Sequence, residues 1–402
     1  MRKPSDWSVT GCLEGYASGY RQELDRRGYS PWTSVAHMNL MAHVSRWLDD
    51  CGVQPAGFSQ ARMEEFLADR RASGQVRRLT PRGLIPLVRY LRELRVVPEP
   101  VAPKPDGPRE LLVEEFAGYL LSERGLAERT VVGYRRVASL FLSTLSVSQG
   151  GVMATLSAAD IHAFVLAECG RCSVGSAGNV VTALRALLRF AYVQGHIALP
   201  LADAVPAVAG WRDGGRSRAV AEGEVARLLA GCDRRTAAGR RDFAILTVLA
   251  RLGLRSNEVA TLGLSDVDWR AGEVIIAGKG NRHDRLPLPV DVGRALADYC
   301  RRGRRPSSCR ALFLHVRAPY GALSSSAVGH VVERACLRAG IAPFGAHRLR
   351  HSAASAMRRA GAPLFEIGQV LRHCHTATTA VYAKDDLDAL AGIARHWPGG
   401  GA

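Results

Sequence analysis

No run of about eighteen apolar residues occurs in the 402-residue chain, and its first stretch, MRKPSDWSVTGC, lacks the apolar core of a signal peptide. A membrane span and export are thereby disfavoured, and the cytoplasm is the expected location. Paired cysteines are scarce too. The nine cysteines are an odd number scattered singly, which excludes a disulfide framework. Cys169 and Cys172 form a single CxxC with no second pair or histidine pair near it, so buried thiols are expected there rather than zinc. Lysine is the third scarcity: of 54 basic residues only Lys3, Lys104, Lys279 and Lys384 are lysines. A lysine kept in so arginine-rich a chain is a candidate for chemistry that arginine cannot perform.

What is present is an apolar fraction of 47%, enough for two to four domains, and a net charge of +17. Excess positive charge points to a polyanionic partner. By successive hundreds the net is +4, +1, +2 and +10, so the C-terminal part is expected to touch that partner most.

Two proline-rich breaks, residues 98–108 and 206–218, divide the chain into blocks 1–97, 109–205 and 219–402. The first two blocks read as bundles of about four helices each, because apolar residues recur three and four apart. They also align with one another at an offset of about 97: Thr33 with Thr130, Val44 with Phe141, Leu48 with Leu145, Leu87 with Leu184 and Leu91 with Leu188. A duplicated domain is one reading, and a chance likeness of two bundles the other. In the first block Arg70, Arg71, Arg77, Arg78 and Arg82 form a basic cluster suited to DNA.

The third block opens with helical patterns in EGEVARLLAGC and RDFAILTVLARLG. EVIIAGKGNRHDRLPLPV (273–290) alternates around a Gly-Asn centre, which predicts a β-hairpin with Lys279 near its tip. Helices over 291–302 and 324–339 follow. HRLRHSAASAMRRA (347–360) predicts a helix with His347, Arg350, His351 and Arg358 on an anion-gripping face and Leu349, Ala353, Ala356, Met357 and Ala360 on a packing stripe.

Four segments resemble the signature boxes of the tyrosine site-specific recombinases, the phage-integrase family: GLRSNEVATLGLSDVD (253–268), GKGNRHDRLPLP (278–289), HRLRHSAASAM (347–357) and VLRHCHTATTAVYAK (370–384). They stand in the family's order, with spacings of three from His347 to Arg350, 23 to His373 and nine to Tyr382. The resemblance implies a mainly α-helical fold with a small β-sheet in a mixed catalytic domain, preceded by a helical core-binding domain at 109–205, the whole closing on DNA like a C. It implies Arg255 and Arg350 as an arginine pair, Lys279 as the hairpin lysine, His347 and His373 as the histidines, and Tyr382 as nucleophile. Double-stranded DNA and self-association into dimers or a tetrameric synapse are the implied partners, with accessory recombinases or DNA-bending proteins beside them, and no cofactor, metal or membrane.

The residue types support these roles by themselves. Forked guanidinium groups match the non-bridging oxygens of a phosphodiester under attack, a task that metal ions perform in nucleases. A tyrosyl phosphodiester conserves the energy of the broken bond and needs no nucleotide cofactor for resealing. His347 suits a base or positioning group, Lys279 a proton donor to the departing sugar hydroxyl, and His373 a group that bonds the phosphate or orients the tyrosine. Glu258, three residues after Arg255, either fixes that guanidinium or forms a plain surface pair.

His373 with Cys374 and His375 is a grouping that suggests a metal, and His347 with His351 stands four apart like a metalloprotease pair, but there Arg348 takes the place of the needed glutamate and Arg350 would repel a dication, so zinc is not expected. In one respect the chain departs from the family: Arg372 stands where glycine usually precedes the second histidine. After Tyr382, Leu387, Leu390, Ile393 and Ala394 predict a terminal helix, docked either on a neighbouring subunit or on its own domain. A type IB topoisomerase and a DNA-binding regulator that has lost catalysis are the rival functions.

Overall fold

Serine and proline set the helix starts. In the computed structural model, which describes residues 8–75, 79–99, 105–146, 151–208, 219–278 and 283–372, Ser30 caps α2 (Pro31–Asp50) and Ser59 caps α3 (Gln60–Ala72), each accepting a bond from a backbone N–H of the first turn. Pro31 and Pro81 occupy first-turn positions where the missing N–H costs nothing. With α1 (Ala17–Arg26) and α4 (Pro81–Glu93) these helices enclose a core that includes Tyr20, Met38, Met41, Phe66 and Leu91.

A second set, α5 (Pro108–Ser122), α6 (Glu128–Thr144), α7 (Ala158–Cys169) and α8 (Val174–Val193), encloses Phe116, Phe141, Phe164 and Phe190. Ser157 and Asp160 form a reciprocal capping box at the start of α7. Cys169 and Cys172 are half-buried, not buried as expected, because they lie at and just beyond the C-terminal end of α7, where Cys172 Sγ donates to Glu168 O.

The third core is built around α10 (Ala237–Leu252), whose Ala244, Ile245, Leu246, Val248 and Leu249 are all buried. Around it pack α9 (Glu222–Ala230), α12 (Val290–Asp298), α13 (Ser325–Arg338) and α14 (His347–Arg359). The short α11 (Ser256–Thr261) follows α10, and α15 (Leu364–Val370) follows α14. The hairpin is β2 (Glu273–Ala277) with β3 (His283–Pro287), joined antiparallel in the order β1-β2-β3 by the two-residue β1 (Val267–Asp268). Register pairs Val274 with Leu286, and these two with Ile276 face the core. The predicted helix from 291 ends earlier than expected as an α-helix and runs on as a π-turn at Tyr299–Gly303.

Residue contacts group the chain into two compact units, 101–214 by itself and 1–100 with 215–402. In the latter, Tyr320 N donates to Arg27 O at 3.4 Å, and the Tyr320 ring lies so close to Gly28, at φ +77°, that a Cβ there would stand 2.2 Å from it. No described helix is long and apolar enough to cross a membrane.

Candidate functional site

The end of α10 places Arg255. Gly253 takes the left-handed conformation at φ +59°, which ends the helix and redirects the chain so that Arg255 becomes the N-cap residue of α11. Glu258, at the third position of α11, accepts the Arg255 backbone N–H at 2.8 Å and the Arg255 Nη1 at 2.7 Å. Glu258 is 6% exposed, which sets aside the plain surface pair, whereas the Arg255 side chain keeps 43% exposure. Burial raises the Glu258 pKa most, but Arg372 and Arg255 together outweigh it and leave the carboxyl below its ordinary value.

Helix α14 does not present its faces as expected. The buried stripe runs Ala346, Leu349, Arg350, Ala353, Ala354, with Met357 half-buried, while Ala356 and Ala360 are exposed. Arg350 therefore occupies a core position of the helical repeat and is fully buried. The reason lies in what surrounds it. Its Nη1 donates to Gly253 O at 2.7 Å and its Nη2 to Leu371 O, the carbonyls at the C-terminal ends of α10 and α15. Such carbonyls lack helical donors and carry the negative end of the helix dipole, so two of them make a site for a buried cation. Ala354 of α14, Ile367 of α15 and Leu371 form a small buried cluster of their own.

His347 lies one turn before Arg350, its ring edge-to-face with His351 at 4.5 Å. His347 is exposed as a residue, yet the protein atoms around its ring, then the charges of Arg350 and Arg255, hold its pKa below the ordinary histidine value. A neutral imidazole at neutral pH is the form able to accept a proton. Among the described residues no group of three metal-ligating side chains occurs around it or elsewhere. Arg255, Glu258, His347 and Arg350 thus converge at the end of α10, while Lys279, His373 and Tyr382 lie outside the described residues, as does the predicted terminal helix.

Similarity to known proteins points the same way. Residues 218–388 match the phage integrase family, and residues 113–195 match the phage integrase, N-terminal SAM-like domain. The chain is 39% identical to the integrase/recombinase y4rA of Sinorhizobium fredii over 98% of both chains. The chain belongs to the phage integrase family, the tyrosine recombinases. It is also 30% identical to tyrosine recombinase XerD of Mycobacterium tuberculosis (strain CDC 1551 / Oshkosh), covering 72% of this chain and 96% of that one. The fold matches the crystal structure of XerH site-specific recombinase bound to palindromic difH substrate with a TM-score of 0.59 at 18% identity, over 75% of this chain and 99% of that one. The mainly helical recombinase fold with its small sheet is accordingly the architecture of this family member.

Two residues of this candidate site were given no role by the sequence alone. Gly253 belongs to the first signature segment, but only the fold shows that a Cβ on it would stand 2.6 Å from Leu371 Cδ2 and 3.4 Å from Ala353 Cβ. Gly253→Ala is expected to destabilise the fold by about 2–4 kcal/mol, from the left-handed backbone plus the overlap. Calorimetric melting checks this, and an unshifted transition contradicts it. The other is Arg372, visible in the sequence only as a departure from the family pattern.

The lowered His347 pKa gives a second measurable expectation. In the DNA-free protein the ring should titrate below about 6.5 by NMR, and Arg255→Gln should move it upward by removing one of the depressing charges. Between that lowered value and about 6.5 the folded chain binds fewer protons than the unfolded one. The His347 share of stability is therefore complete above this window and is lost as pH falls through it. A midpoint at or above 6.5 contradicts the assignment.

Proposed function

We propose that this tyrosine recombinase exchanges DNA strands site-specifically through a 3′-phosphotyrosyl intermediate on Tyr382, with neither metal nor ATP, in the integration, excision or transposition of a mobile element. The observation that carries this reading is the convergence of Arg255, Arg350 and His347 at the end of α10, two cations and a neutral base on one spot. In the reaction the Tyr382 oxygen forms a bond to phosphorus as the bond to the 5′ oxygen breaks. Arg255 and Arg350 hold the non-bridging oxygens, and His347 takes or positions the phenol proton. Lys279 protonates the departing 5′ oxygen, and His373 orients the phosphate or the tyrosine. The 5′ hydroxyl of a partner strand then attacks the phosphotyrosine, and the phenol is released with the bond count unchanged.

In this reading residues 1–97 and 109–205 are helical DNA-binding domains joined by linkers at 98–108 and 206–218, and residues 219–402 are the catalytic domain. The chain assembles into dimers and tetramers on its sites, with accessory recombinases or DNA-bending proteins as further partners. The like starts of α2 at Pro31 and α6 at Glu128, 97 residues apart, support a duplicated bundle. XerH, with the same fold, is bound to its own DNA substrate, which supports duplex DNA as the ligand.

The test is incubation with nicked suicide duplexes in EDTA, followed by denaturing gels and peptide mapping. An adduct on Tyr382 and products joined between two duplexes are expected. Resealing of the same strand alone would indicate a type IB topoisomerase, binding without an adduct a regulator, and a need for magnesium would refute the mechanism.

A further inference from the structure

Arg372 is one of two described non-glycine residues with positive φ, at +55°, and it occupies the position after the last turn of α15 where glycine is favoured. A large side chain held in that conformation calls for a compensating contact. That contact is buried. The Arg372 side chain is 6% exposed, its Nη2 donates to Glu258 Oε2 at 2.7 Å and its Nη1 to Val370 O at 2.8 Å. The same carboxylate oxygen accepts the Arg255 backbone N–H, and the other takes the Arg255 Nη1. Glu258 is therefore shared between an arginine of the catalytic pair and the turn from which the chain proceeds to His373 and Tyr382.

We infer that Arg372 is a positioning residue, which ties the tyrosine-bearing segment to the Arg255 guanidinium through the shared carboxylate of Glu258. The inference rests on the proposed role of Tyr382. Two ties hold the turn at residues 371 and 372: Arg350 grips Leu371 O, and Glu258 grips Arg372. When the Arg350 fork turns to a phosphate oxygen, the Leu371 tie is given up. The Arg372 tie does not involve Arg350 and persists through that exchange, keeping the base of the nucleophile's segment in register with Arg255. Glycine at this position would make the turn more easily and lose the tie.

The experiment uses the full chain and a nicked suicide duplex captured from a randomised pool as the wild-type covalent adduct. Arg372→Gly, Arg372→Lys and Glu258→Gln are compared by melting temperature, duplex affinity and first-order cleavage at saturating DNA, with rates expressed per folded molecule. Arg372→Gly should bind duplex like the wild type and cleave roughly 10- to 100-fold more slowly. Arg372→Lys should recover part of the rate, and Arg372→Gly combined with Glu258→Gln should be less than multiplicative. Cleavage by Arg372→Gly within about twofold of wild type per folded molecule, or fully independent effects of the two substitutions, overturns the assignment. A wild-type chain that forms an adduct elsewhere than Tyr382, or none, overturns the proposed function and this assignment with it.

Discussion

Replacing Tyr382 with phenylalanine is expected to abolish the covalent DNA adduct and to lower strand cleavage by at least roughly 10³-fold, about 4 kcal/mol in the barrier. The substitution removes a single oxygen. The aromatic ring is kept, and duplex affinity, expected to come from arginine contacts to the phosphate backbone, should stay within about twofold. Water attacking the same phosphorus in place of the phenol would leave a cut that cannot be resealed without an external energy source. Single-turnover cleavage of the suicide duplex, run beside a gel-shift titration at fixed salt, separates the two quantities. Residual adduct in the phenylalanine variant would move the nucleophile to another residue. Loss of binding together with cleavage would assign Tyr382 a structural role instead.

The second large effect belongs to Arg350. Truncation to alanine leaves the carbonyls of Gly253 and Leu371 buried without their charged donor, each at about 1–3 kcal/mol, so Arg350→Ala should cost about 2–6 kcal/mol of stability. Arg350→Lys separates this from catalysis. An ammonium keeps the charge between the two helix ends but lacks the planar fork that meets two oxygens at once. The lysine variant should thus recover most of the stability while cleaving at least roughly 10²-fold more slowly. Calorimetry and single-turnover kinetics on the same preparations decide the matter. A lysine variant that cleaves at the wild-type rate would show that Arg350 serves the fold alone.

Arg350 also marks how far the sequence could be read. Its place on a helix followed from the spacing of HRLRHSAASAM, and its membership of an arginine pair from the family resemblance. That it lies in the core did not follow, because the two carbonyls that neutralise it come from residues 97 and 21 positions away. A helical wheel treats an arginine as surface unless it knows what stands opposite. The same limit explains Ala356 and Ala360, which the wheel assigned to packing and which are exposed, since a wheel does not show which arc of α14 its neighbours cover.

The hairpin at 273–290 was legible because alternation of period two reports directly on which face is buried, and Val274, Ile276 and Leu286 bear that face. The third strand, β1, was not, because two residues are too few to show a period. Arg372 stood out only as a broken family pattern. Its sequence said that a glycine was missing, but not that Glu258, 114 positions earlier, supplies a buried partner.

The chain by itself determined its helices, its hairpin, its excess of arginine and the order of its signature segments, all of which depend on residues within a few positions of one another or on composition. Tertiary structure alone decided which arginine is buried, which carboxylate two arginines share, and which glycine admits a neighbouring leucine. These depend on groups far apart in sequence meeting in a low-dielectric interior, where each charge must find its partner or the fold cannot hold it.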